Sequence, residues 1–181
     1  MKKARHQLFP QAPRIQKPGM NALYRLPTLW SLRVLYRLQG VKGMWGYPNE
    51  ITTDGRILNA IGLAELEDKE MGVGAFKRIL ARKLESVEQQ DLRLTGNLDE
   101  NLKQLGKLVG LSEIDKQLLA FVIILHSDPG LDETADVLGS LVADKAKYVL
   151  SVILEISEHD INVALSAESV LSRTGLLRID R

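Results

Sequence analysis

The sequence predicts a mainly α fold, a bundle of many short helices, and three observations lead there. Leucines and other apolar residues recur at three- and four-residue spacing in one stretch after another, with charged residues between them. Serine-plus-acid signals stand ahead of apolar runs at Ser112 and Ser157, where a hydroxyl accepts from first-turn amides and acids complement the helix dipole. Glycines at 40, 62, 110 and 139 follow such runs, where helices are expected to stop. With 181 residues and 45% hydrophobic side chains, the chain can bury a core as one domain or two small ones.

Residues 1–19 hold Pro10, Pro13 and Pro18, the basic residues Lys2, Lys3, Arg5, Arg14 and Lys17, and few apolar side chains. They predict an extended or mobile basic arm. The positive start is followed by no apolar core of a secretory signal. Residues 20–95 then read as an N-terminal helical subdomain. Within it, Leu23, Leu26, Leu29, Leu32, Leu35 and Leu38 repeat every three residues, Pro27 suits a first turn and Gly40 an end. Arg33 and Arg37, four apart, are expected to share a face and repel slightly. The aromatic, glycine-rich run at 41–48 predicts a turn with Trp45 packed on that helix. A short helix is expected at 56–61, stopped by Gly62, and an acidic surface turn at 65–70. A longer amphipathic helix follows at 75–90, with Phe76, Ile79, Leu80, Leu84 and Val87 inward.

The best boundary is at 94–97, and 97–181 read as a second, helical domain. Leu98, Leu102, Leu105 and Leu108 mark a helix ended by Gly110 and lying antiparallel to the next. That next helix, opened by Ser112-Glu113-Ile114-Asp115, carries Leu118, Phe121, Val122 and Leu125 on one side and Ala120, Ile123 and Ile124 on the other. A helix apolar nearly all round belongs in a core, and its run is far too short to cross a membrane. Asp128-Pro129-Gly130 ends it. Helices are expected at 132–138, at 144–156 and from Ser157 through Leu165. The tight connection between the second and third of these four helices resembles a helix-turn-helix corner. A closing strand at 176–180 would begin a small wing, which makes the C-terminal part winged-helix-like.

Charge is unevenly spread. Residues 1–49 hold nine Lys or Arg and no Asp or Glu, whereas 111–172 hold three basic residues against eleven acidic. The helix at 144–156, in the recognition position of the corner, offers only Lys145 and Lys147 against Asp144 and Glu155. Phosphate contacts dominate non-specific nucleic-acid affinity, so this corner is expected to contact protein.

Gly106-Lys107 lacks the earlier glycine and the hydroxyl of a nucleotide-binding loop. There is no nucleophile elbow and no His-Glu-x-x-His. His6, His126 and His159 stand far apart, and Asp132, Glu133 and Asp136 read as a solvated acidic face. The absence of cysteine excludes disulfides, thiolate metal sites and a cysteine nucleophile. No catalytic residue, no metal ligand and no cofactor is expected.

Asn101-Leu102-x-x-Leu105-Gly106-x-Leu108-x-Gly110-Leu111-Ser112-Glu113, Leu118-Leu119-x-Phe121 and Leu125-His126-Ser127-Asp128-Pro129 together resemble the non-catalytic region ahead of the core in certain bacterial AAA-type ATPases. Leu171-Ser172-Arg173-Thr174-Gly175-Leu176-Leu177 and Leu23-Tyr24-Arg25-Leu26-Pro27-Thr28-Leu29-Trp30 fit the same region. The resemblance implies a helical, winged-helix-like module for engaging partners or substrates. The Walker motifs of the core are absent from these residues, so no functional residue carries over, and a strand at the end implies a separated or truncated N-terminal piece. The expectation is thus a cytoplasmic, non-enzymatic module whose protein partner is an ATPase core or its substrate. The alternative is a nucleic-acid-binding regulator that contacts phosphates through Lys2, Lys3, Arg5, Arg14, Lys17 and the Arg33/Arg37 face.

Overall fold

A computed structural model describes residues 25–44 and 55–177. The basic arm with Lys2, Lys3, Arg5, Arg14 and Lys17, the Trp45 turn, and Arg178 to Asp180 of the expected strand lie outside the described residues.

The protein is mainly α-helical, with nine α-helices among the described residues. Helix α1 spans Arg25–Tyr36 and holds Pro27 in its first turn, where a missing amide hydrogen costs nothing. Its leucines repeat every three residues, and at 3.6 residues per turn each step falls short of a full turn by about 60°. They therefore sweep around the helix instead of lining one face, and α1 is buried nearly all round. Leu26, Leu29, Trp30, Leu32, Val34 and Leu35 are all in the core. Around it pack α2 (Gly55–Ala60), α3 (Val73–Glu88), α6 (Pro129–Asp136) and α7 (Ala143–Leu154). Two 3-10 turns, Gly40–Met44 and Ala64–Leu66, fill the connections. The second takes up part of the expected acidic surface turn, and it buries Leu66.

Helix α3 presents Phe76, Leu80, Leu84 and Val87 to α1, as its spacing predicts. Helix α4 (Asn97–Val109) ends at Gly110, whose φ of 80° is left-handed and suits glycine. Its expected apolar face is only partly realised. Leu102 is its one fully buried residue, and Leu108 is 82% exposed, because α4 packs chiefly on a single neighbour, α5.

Helix α5 (Glu113–Ser127) starts with a capping box. Ser112 Oγ accepts from the Asp115 amide at 3.1 Å, and the Asp115 carboxylate accepts from the Ser112 amide at 2.8 Å. It joins two apolar clusters. Phe121 and Ile124 belong to the core around α1, and the Trp30 and Phe121 rings meet edge to face at 5.1 Å. Leu118, Leu119 and Ala120 belong to a second cluster with α4, α8 (Glu158–Ala164) and α9 (Val170–Arg173). Leu131, Val149 and Ile153, all beyond 97, lie in the first cluster with α1 to α3, so that core crosses the 94–97 position.

Asp128 both closes α5 and caps α6, accepting from the Leu131 amide at 2.9 Å with Pro129 as the first helical residue. Helix α6 therefore begins three residues earlier than expected. Helices α6 and α7, the expected helix-turn-helix pair, both rest on α1. No strand occurs among the described residues. Leu176 and Leu177 donate instead to the Leu171 carbonyl at 3.0 and 3.3 Å, a turn that closes α9.

Candidate functional site

The polar centre of the fold is a four-member ion network. Arg33 projects from α1 between α3 and α7, with its side chain only 7% exposed. Its Nε donates to Glu88 at 3.1 Å, its Nη2 to Glu155 at 2.6 Å, and its Nη1 to the Ile153 carbonyl at 2.7 Å. Arg37, one turn on, donates to the same two carboxylates at 2.5 and 2.7 Å. The expected repulsion between the two arginines is thus cancelled by two acids from distant parts of the chain. As a face for phosphate the pair offers little, since Arg33 is interior and Arg37 is already engaged.

Glu155 sits just past α7 with φ of 54°, a left-handed position that a side chain adopts at a cost. Its amide donates back to the Ser151 carbonyl, and the turn aims its carboxylate at both arginines. Burial alone pushes the Glu155 carboxyl up. The hydrogen bond from Arg37 and the charges of Arg33 and Arg37 outweigh it and hold the group below the ordinary glutamate range.

Beside the network lies a cleft of about 520 Å³ between α1, the α3–α4 loop, α4 and α5, with Leu154 and Glu155 also in its lining. Its floor is apolar, with Leu26, Leu29, Trp30, Leu94 and Leu102. Its rim is charged and internally paired. Lys103 donates to Asp99 at 2.6 Å, and Lys116 pairs with Glu113. The Asp99 hydrogen bond, together with the Asp99 charge, raises the Lys103 ammonium above its usual range. A second, smaller cleft of about 300 Å³ lies between the end of α1, the first 3-10 turn and α7.

His126 ends α5 and His159 lies in the first turn of α8, and both are exposed. Of the acidic triplet, Asp132 and Asp136 are exposed and Glu133 pairs with Arg56 at 3.4 Å. No group of three or more His, Asp or Glu side chains converges as metal ligands would among the described residues. No helix among them is long and apolar enough to cross a membrane.

Sequence reading missed the network because its partners are separated by 51 to 122 residues. The one local signal was Arg33 itself, an arginine set inside a continuous leucine run, where an interior position forces it to find acids. The fold and site thus define a helical protein built around a buried arginine and flanked by two clefts. Comparison with protein-family models, with curated proteins and with solved structures finds no match.

Proposed function

We propose that this chain is a non-enzymatic, cytoplasmic helical module that docks a protein partner, as the N-terminal regions of the AAA-type ATPases it resembles are thought to do. The supporting observation is the larger cleft. An apolar floor that includes Trp30, bordered by charges, suits an amphipathic segment that lays its apolar side inward and its polar side along the rim. Such a floor with a polar border is the usual anatomy of a protein interface. The end of α7 supplies one wall, so the helix-turn-helix part, winged-helix-like on this reading, takes part in the contact. The partner of this reading is an ATPase core or a substrate of one.

A photo-crosslinking residue at Gln117, exposed beside the cleft, should trap one defined protein species in cells. The same residue at Asp132, exposed on α6, should not. Equal trapping at both positions, or none at Gln117 alongside a measurable intrinsic turnover of the purified chain, would sink the reading.

A further inference from the structure

We propose that the smaller cleft binds a single nucleotide unit, with its phosphate on Lys42 and Lys145 and its base on Tyr148. The cleft of about 300 Å³ has three cations in its lining, Arg37, Lys42 and Lys145, and no carboxylate among the described residues. Of these three, Arg37 is already balanced. Arg33 and Arg37 together meet Glu88 and Glu155, so two positive charges meet two negative ones. Lys42 and Lys145 are both exposed, and their ammonium groups have no hydrogen-bonding or ion-pair partner among the described residues. They leave two uncompensated positive charges on one small concavity, which match a phosphate monoester of about −1.5 to −2 charge.

The walls favour more than a bare anion. Tyr148 keeps 48% of its surface exposed and joins the apolar Val149 in the lining, which gives a flat ring beside the cations. Aromatic stacking of this kind accepts any base. Gly40 keeps the concavity in shape. A side chain there would meet the Val34 carbonyl at 2.9 Å and Val137 Cγ2 at 3.0 Å, so only glycine lets the turn carrying Lys42 lie this close to α1. The volume stands at the lower limit of ligand pockets, enough for one nucleotide and not for two. This inference is independent of the docking reading, which concerns the other cleft.

Calorimetric titration of the full chain at low salt tests it, with adenosine monophosphate, inorganic phosphate and a 5′-phosphorylated oligothymidylate as probes. Adenosine monophosphate should bind, and Lys42→Ala and Lys145→Ala should each weaken it about ten-fold, the worth of one charged hydrogen bond. Tyr148→Ala should weaken the nucleotide about ten-fold and leave inorganic phosphate unchanged, because only the base stacks. If the oligonucleotide binds more tightly than the mononucleotide, the source is a strand end; if it binds less tightly, the source is a free nucleotide. All three side chains are exposed, and an unchanged thermal melt verifies that the variants fold. No binding of the mononucleotide to the wild type overturns the proposal. So does unchanged binding by the Lys42→Ala/Lys145→Ala double variant, or equal weakening of phosphate and nucleotide by Tyr148→Ala.

Discussion

Replacing Arg33 with alanine should destabilise the protein by about 3 kcal/mol, and the structure sets out where that comes from. The guanidinium makes three charge-assisted hydrogen bonds, each worth about 1.5–3 kcal/mol when desolvated. Only one of the three acceptors, the Ile153 carbonyl, is shut away and left without its partner by the substitution. The two carboxylates keep Arg37 and remain partly in water, Glu155 with half its side chain exposed. Their share is therefore closer to the surface value of about 0.5–1 kcal/mol apiece. Arg37→Ala, which removes a partly exposed partner from the same acids, should cost about 1 kcal/mol or less. Arg33→Met retains most of the volume, so its remaining deficit isolates the lost hydrogen bonds from the cavity. Urea unfolding followed by far-ultraviolet circular dichroism reads all three, with the midpoint moving at constant slope. At about 2–4 °C per kcal/mol for a chain of this size, the Arg33→Ala melt should fall by roughly 6–12 °C. An Arg33→Ala variant within about 1 kcal/mol of wild type, or an Arg37→Ala loss equal to it, would refute the claim that the interior guanidinium ties α1 to α3 and α7.

Other expectations follow from single contacts. The Glu155 carboxyl is held below its ordinary value of 4.5, so its contribution is full above that pH and disappears as pH falls through the lower folded value. Glu155→Gln should flatten stability against pH below about 4.5, and an unchanged acid limb would contradict the ion network. Ser31 is fully buried on α1, and its hydroxyl has no hydrogen-bond partner among the described residues. Ser31→Ala should therefore be neutral or stabilising by about 1 kcal/mol, and a lower melting temperature would reveal a partner for that hydroxyl. Gly130 lies against α2, where a new Cβ would meet the Ala60 Cβ at 2.5 Å. Gly130→Ala should force the two helices apart and cost about 1–3 kcal/mol in urea unfolding. Ser112→Ala should cost about 1 kcal/mol by removing half of the α5 capping box, and no change in the urea midpoint would show that the cap is idle.

Features set by near neighbours in the chain could be read from the residues. The serine caps at 112 and 157, the glycine stop at 110 and the inward face of Phe76, Leu80, Leu84 and Val87 depend on residues three or four positions away, and they stand where expected. The sequence places the start of α6 at Asp132 and the structure at Pro129, because Asp128-Pro129 serves equally as a stop signal and as a cap with its first residue, and only the following turn decides between them. The central place of α1 lies one step further from local rules. A leucine every third residue fits a helix, but whether its sweeping apolar surface is covered on all sides depends on α3, α6 and α7 arriving there.

The sequence by itself determined that this chain is helical and where most helices begin and end, since backbone hydrogen bonds and caps act within a few residues. Only the tertiary structure decided which charges are interior, which leucines face water and where concave surfaces form. Arg33 meets acids 55 and 122 residues away, and Leu108 is exposed because no helix among the described residues covers its side of α4. Burial and charge pairing are properties of what comes to rest beside a residue, and spacing along the chain does not encode that.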